Sequence, residues 1–349
     1  MKVIEIGNTK IGENYPTFIV AEISGNHNGS LEKAMKLIEE AKKAGVDGIK
    51  LQTYLPSTIT LDCNNEFFNI NQDSIWHGQN LYNLYEKAHT PWEWQPKLKE
   101  YAESLGLVCF SSPFDKTSVD FLENLKVPAY KIASFEITDI SLIEYIAEKN
   151  RPIILSTGIA TLGEIEEAIK VIKSKNNHQI IILKCTSAYP SKPEEINLKS
   201  INSLQKSFGV TVGLSDHTLG IEVPIAAVTL GAKVVEKHII LSRTDGGVDS
   251  EFSLEPDEFK AMVYGIRNVE KALGQEEYIL SKRAEESREF ARSLFISEDI
   301  KKGEVFNEKN IKSVRPSYGL HPRYYNYILG KNSKKDLKKG TPLKLEYID

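Results

Sequence analysis

Eight short apolar runs punctuate the first 240 residues, and each closes in polar residues: 18–24, 48–53, 107–113, 129–134, 152–158, 180–187, 210–217 and 233–239. The stretches between them carry helical spacing. Residues 31–44 place Leu31, Ala34, Leu37, Ile38 and Ala41 on one stripe, the mark of a helix that buries one face. Ser30 precedes it as an N-cap, with Lys33 where a full capping box would need an acid or amide. Thr161 and Glu164 do complete that box ahead of 165–172. Eight strands alternating with helices predict an α/β fold, a (β/α)8 TIM barrel.

The way the runs end carries the chemistry. They finish in Glu22, Lys50 with Gln52, Ser111 with Ser112, Lys131 with Ser134, Ser156 with Thr157, Lys184 with Thr186, Ser215 with His217, and Glu236 with His238. In a parallel barrel all eight ends converge on one mouth, where active sites are built. Histidines on adjacent strands, His217 and His238, can share one divalent ion and leave positions open for water and substrate. Glu22, on the strand beside the eighth, could hold water at that ion. Lys50, Lys131 and Lys184, interleaved with Ser134, Ser156 and Ser215, describe a pocket for phosphate and carboxylate. Each residue taken singly has a plainer alternative: a histidine hydrogen-bonded in the core, a lysine in a salt bridge.

Two regions fall outside a minimal barrel. Residues 56–91 form a long connection with Phe67, Phe68, Trp76, Tyr82 and Tyr85, which is expected to be a lid or binding loop, or an insertion that packs on the barrel. After the barrel, Ile300-Lys301-Lys302-Gly303-Glu304-Val305-Phe306 is echoed by Leu337-Lys338-Lys339-Gly340-Thr341-Pro342-Leu343. Each is a Lys-Gly turn between apolar residues, as in a small β-rich module. The expected division is a barrel at 1–282, a charged linker at 283–292 and the module at 293–349.

Composition narrows the classes. An apolar fraction of 41% and a net charge of −4 belong to an ordinary globular protein, without the basic excess that nucleic-acid binding needs. No run approaches the roughly 20 apolar residues of a membrane span. The first residues lack a signal-peptide core, which predicts a cytoplasmic protein. Cys63, Cys109 and Cys185 are scattered and odd in number, as expected of reduced thiols.

The ordered motifs Asn26-His27-Asn28-Gly29, Lys50-Leu51-Gln52-Thr53, Ser112-Pro113-Phe114, Tyr130-Lys131-Ile132-Ala133-Ser134, Leu155-Ser156-Thr157-Gly158, Cys185-Thr186-Ser187-Ala188-Tyr189-Pro190 and Gly213-Leu214-Ser215-Asp216-His217-Thr218 resemble the sialic acid synthase family. That family joins a phosphoenolpyruvate-condensing barrel to a C-terminal antifreeze-like (SAF) domain, which the Lys-Lys-Gly turns and Arg315-Pro316 resemble in turn. Trp76-His77-Gly78, Leu81-Tyr82-Asn83-Leu84-Tyr85, Thr90-Pro91-Trp92-Glu93-Trp94 and the run from Asp245 to Ser253 are most similar to its pseudaminic acid branch. Leu51 and Ser187 depart from the pattern of the members that use N-acetylmannosamine.

The resemblance implies that C3 of phosphoenolpyruvate attacks the aldehyde carbon of open-chain 2,4-diacetamido-2,4,6-trideoxy-altropyranose. Water adds at C2, and C–O cleavage releases phosphate and pseudaminic acid, a sugar of flagellin glycosylation. It implies manganese or magnesium, with cobalt a third candidate, on His217 and His238, polarising the aldehyde. Glu22 would act as base. Lys50, Lys131, Ser134, Ser156 and Ser215, with Lys184 or Ser187, would bind phosphoenolpyruvate. Gln52, Glu136, Tyr189 and Asp249 would contact the sugar. Arg315 would reach the barrel of a second copy in a domain-swapped homodimer. Three alternatives stand beside this: a legionaminic or N-acetylneuraminic acid synthase of the same mechanism, a metal-dependent barrel aldolase or sugar isomerase, and a degenerate barrel carrying a binding module. The strand-end lysines and serines argue against an isomerase of neutral sugars, and the intact set His217, His238, Lys131 and Glu22 argues against the degenerate barrel.

Overall fold

The computed structural model describes residues 2–71, 75–275 and 277–349, in two compact units, Met1–Gly274 and Gln275–Asp349. In the first, eight parallel strands close into a barrel: β1 Phe18–Glu22, β2 Gly48–Thr53, β3 Val108–Pro113, β4 Tyr130–Ile132, β5 Ile153–Ser156, β6 Ile180–Cys185, β7 Thr211–Asp216 and β8 Val234–His238. Each of the eight apolar runs supplies one strand. The closing pair sets His238 against Glu22, and β7 and β8 set Ser215 against Glu236 and Asp216 against Lys237.

Alternation divides each strand between two environments. Phe18, Val20, Phe110, Ala129, Ile154, Ile181, Leu183 and Val234 point inward and fill the lower barrel, together with Ile4, Ile6 and Ile11 of an N-terminal hairpin. Their neighbours, such as Ile19, Ile49, Ile132, Leu155, Ile182, Leu214 and Val235, point outward into two larger clusters under the helices. The barrel is therefore filled from below, and its next inward layer is polar.

The helices start and stop where the sequence marks them. Ser30 Oγ accepts from Lys33 N at 3.2 Å, and Gly45 ends the helix Leu31–Ala44 in the left-handed region at φ 91°, where a side chain would be strained. Glu164 and Thr161 bond reciprocally ahead of Leu162–Ser174. Within 56–91 lie the helices Pro56–Ile59 and Leu81–Ala88, a turn at Glu66–Phe68 and a bridge between Asn69 and Asn80; positions 72–74 of that loop lie outside the described residues. No helix among the described residues is long and apolar enough to cross a membrane.

The second unit opens with the short helix Lys282–Ser287 and a turn at Arg288–Phe290. Strands Ser293–Ile296 and Ile311–Val314 then pair antiparallel over a core that includes Leu294, Ile300, Phe306, Ile328 and Leu343. The two echoing Lys-Gly segments pair with each other: Ile300 and Leu337 exchange backbone hydrogen bonds of 2.8 Å in both directions.

One buried histidine makes the fold sensitive to acid. His27 is fully buried; its Nδ1 accepts from Gly29 N at 3.1 Å, which leaves Nε2–H to donate to Thr90 Oγ1 at 3.2 Å. Burial, and secondarily His89, pulls its pKa down to about 4. The unfolded chain therefore takes up a proton below about pH 6.5 that the folded chain refuses, and stability is lost as pH falls through that window. Between about pH 7 and pH 5 this costs about 2 kcal/mol. In urea titrations at both pH values, His27→Gln should show that much less decline than the parent; an equal decline would remove His27 as the cause.

Candidate active site at the barrel mouth

Above the apolar layer, the inward positions hold a network of charge with almost no solvent contact. Lys50, 4% exposed, forms an ion pair with Glu22 and lies 3.3 Å from Glu236 Oε1, and its Nζ donates to Ser112 Oγ at 3.4 Å. Lys131 Nζ stands 4.0 Å from the same Glu236 oxygen, and Ser215 Oγ donates to it at 3.4 Å. Burial drives Glu22 up to about 7, against the pull of Lys50 and with the push of Glu236. Burial also acts to raise Glu236, but Lys131 and Lys50 outweigh it and hold it below the usual carboxylate range. Lys131 is lowered by burial. Ser156 Oγ and Glu236 Oε2 are buried with no hydrogen-bond partner among the described residues, so the network has unspent capacity to bind.

His217 and His238 stand beside it with ring centroids 5.4 Å apart. His217 is held from behind, its Nδ1 lying 3.1 Å from Thr186 O and its carbonyl accepting from Ser191 N at 3.0 Å. His238 Nδ1 is buried and unpartnered. Burial, then the charges of His217 and Lys50, keeps His238 neutral far below the ordinary range. A neutral imidazole with an orphaned nitrogen beside a second imidazole fits a divalent metal. No group of three or more His, Cys, Asp or Glu poised around one point occurs among the described residues; an ion held by two imidazoles alone would keep its other positions open.

Lys184 departs from the expected inward trio. It follows Ile180 and Ile182 on the outer face of β6, half-buried, and its Nζ donates to Cys185 O at 2.7 Å and Thr186 Oγ1 at 3.4 Å. The inward residue is Cys185, whose Sγ lies 3.9 Å from His217 Nδ1. Burial alone would push that thiol up, but His217, Ser134 and Lys131 bring it down to about 7. Ser134 Oγ accepts from Gly158 N at 3.1 Å. A methyl group on Gly158 would collide with Ser187 Oγ and lie 2.8 Å from Ser134 Oγ, so the absence of a side chain there keeps Ser134 and Ser187 together.

A wall of rings covers the histidines. Tyr189 lies 4.5 Å from His217 and Phe252 lies 4.9 Å from His238 by ring centroid. Trp76, from the long loop, packs 5.3 Å from Tyr189 and donates from its indole N–H to Val248 O at 2.9 Å. Outside Trp76 opens a cavity of about 580 Å³, lined among others by Asn28, Gln79, Leu84, Lys87 and Val248. Asp249 is buried, its Oδ2 3.5 Å from Gly25 N, and burial raises its pKa. Glu136, raised to about 7 by burial, leaves Oε2 unpartnered. Gln52 is half-buried opposite Ser112. Arg315 belongs to the second unit, exposed just past Ile311–Val314.

Sequence reasoning assigned no role to Glu236, although it shares the inward parity of His238 two residues on. Cys185 and Phe252 were also missed, as was the Asp216–Lys237 pair on the outer face of the barrel wall.

Residues 37–278 match the NeuB family and residues 291–348 the SAF domain. The chain is 50% identical to the pseudaminic acid synthase of Campylobacter jejuni strain 81-176 over 341 residues, 98% of each chain. It is 38% identical to an N,N'-diacetyllegionaminic acid synthase of C. jejuni over 326 residues, 92% of this chain and 97% of the other. Among solved structures, the N-acetylneuraminic acid synthetase of Leptospira borgpetersenii superposes with a TM-score of 0.72 at 35% identity, covering 82% of this chain and 95% of that one. The chain is a member of the NeuB family.

Proposed function

We propose that the protein condenses phosphoenolpyruvate with the open-chain aldehyde of 2,4-diacetamido-2,4,6-trideoxy-altropyranose, yielding pseudaminic acid and phosphate. The observation that carries this is the desolvated network of Lys50, Lys131, Glu22 and Glu236 beside two histidines, in a chain 50% identical to a pseudaminic acid synthase along nearly its whole length. Two buried lysines, with the unpartnered Ser156 Oγ and with Ser215 nearby, suit a small, multiply charged anion.

In this reading Lys131, Lys50, Ser134, Ser156, Ser187 and Ser215 hold phosphoenolpyruvate by its carboxylate and phosphate. Its C3 faces the aldehyde carbon, and the new C–C bond forms there. Glu22, raised to about 7 by burial, takes a proton from the water that adds at C2, and the C–O bond to phosphorus then breaks on the carbon side. His217 and His238 would hold a divalent ion, Mn²⁺ or Mg²⁺ with Co²⁺ a third candidate, which when bound supplies Lewis acidity to the aldehyde oxygen. The Trp76–Tyr189–Phe252 wall favours a sugar with methyl groups in place of hydroxyls, and Glu136, Gln52 and Asp249 offer polar contacts to its hydroxyl and amide groups.

A homodimer in which Arg315 reaches the mouth of the other copy belongs to the same proposal. It is supported by the exposure of Arg315 and by apolar side chains left exposed after β4, β5 and β7: Phe135, Ile159 and Leu219 on the connections and Leu162 at the start of its helix. The product, made in the cytoplasm, would serve glycans such as those of flagellin.

The direct test incubates protein, phosphoenolpyruvate and one sugar at a time, with Mn²⁺ or with chelator, and follows phosphate and product mass. Phosphate release with the trideoxy sugar and loss of it on chelation are expected; release only with N-acetylmannosamine, or only with the legionaminic precursor, would overturn the substrate, and activity indifferent to chelation the metal. Two substitutions probe the parts separately. Gly158→Ala should raise KM for phosphoenolpyruvate at least about tenfold by pushing Ser134 and Ser187 apart, with KM for the sugar little changed; equal effects on both would show that the cradle is not local. Trp76→Ala should lower kcat/KM for the trideoxy sugar about 10- to 100-fold more than for N-acetylmannosamine. A uniform loss on both sugars would take Trp76 out of recognition.

A further inference from the structure

Outward positions of the barrel wall are apolar on most strands, from Ile49 and Ile132 to Leu155, Ile182 and Leu214. The ends of β7 and β8 break this pattern with a carboxylate and an ammonium group. Asp216 and Lys237 are register partners, their side chains are wholly buried, and they form an ion pair on the face of the wall opposite the reaction chamber. Lys237 Nζ also donates to Thr218 O at 2.6 Å. Thr218 Oγ1 donates back to the Asp216 carboxylate at 3.0 and 2.9 Å, and Thr218 N donates to it at 3.2 Å. The result is a closed ring of contacts through residues 216, 218 and 237.

His217 sits between Asp216, the last residue of β7, and Thr218 just beyond it, and His238 follows the anchored lysine on β8. We infer that Asp216, Lys237 and Thr218 are positioning residues that fix the spacing of His217 and His238 by tying the two strand ends together from behind. This rests on the reading of the two histidines as metal ligands. A buried ion pair is a poor device for stability alone, because desolvation offsets most of its Coulombic gain and well-packed apolar residues do as well. It is a good device for geometry. An ammonium group and a carboxylate accept few arrangements once buried, whereas apolar side chains would let the strand ends slide. The other supports of His217, Thr186 O and Ser191 N, act from β6 and its loop and leave its distance to His238 open. Among the described side-chain contacts, the 216–218–237 ring ties the ends of β7 and β8 together on the outer face, while Ser215 Oγ and Glu236 Oε1, 3.4 Å apart, join the two strands on the inner face.

The test uses the full chain, stripped of metal by chelator and titrated with Mn²⁺, with free Mn²⁺ read from its electron paramagnetic resonance signal. Asp216→Leu combined with Lys237→Met removes both charges at similar volume, and Lys237→Arg keeps the charge. The double variant should unfold near the parental temperature yet bind Mn²⁺ 10- to 100-fold more weakly, the range typical for outer-shell partners of metal ligands, while Lys237→Arg stays within about threefold of the parent. Thr218→Val, which deletes one hydroxyl without changing shape, should weaken Mn²⁺ about threefold or more and serves if the double variant fails to fold. Parental Mn²⁺ affinity in the double variant, or in Thr218→Val where the double does not fold, would overturn the inference while leaving the metal site standing. A parent chain that binds no Mn²⁺ would overturn both.

Discussion

The structure turns on one constraint: four ionisable side chains, Glu22, Lys50, Lys131 and Glu236, are held inside a closed barrel where water cannot solvate them. Each can be buried only because the others are there, since an unpaired charge in that position would cost several kcal/mol. Closure of the sheet imposes this. With Phe18, Val20, Phe110 and Val234 filling the layer below, the next inward residue on each of those strands must stand at the mouth. Glu22 at about 7 and Glu236 well ionised divide the pair into one group ready to exchange a proton and one that stays anionic. Two carboxylates in one chamber with different tasks is the arrangement that acid–base chemistry near neutrality needs.

Much of this was legible in the residues, for a physical reason. Strand existence follows from local apolar runs, and helix starts follow from caps such as Ser30 and Thr161, whose partners lie three residues away. Phase was harder. Strands of a parallel barrel are buried on both faces, so Ile180-Ile181-Ile182-Leu183 shows no alternation from which to tell inside from outside. Lys184 was therefore taken as inward, and Cys185, one residue on, holds that place. On β8 the polar residues alternate with function: Glu236 and His238 share the inner face, and Lys237 between them meets Asp216 behind it.

The long loop marks the other limit of local reasoning. Its aromatic content announced a covering element, but its docking depends on Trp76 bonding to Val248, 172 residues away, and on Tyr189 and Phe252 from two other loops. No short-range pattern encodes such a meeting. The same holds for Gly158, whose importance lies in the two serines that crowd it rather than in its own backbone.

The most direct measurement of the central claim, that the buried charge network is a receptor for a small anion, is calorimetric titration of phosphoenolpyruvate into the free protein and into Lys131→Met, without sugar. Removing one buried charge that contacts the anion should weaken binding by about 100-fold while the variant remains folded. Binding by the variant within twofold of the parent would contradict the account, for it would mean that phosphoenolpyruvate is held elsewhere than on the lysines of the barrel mouth.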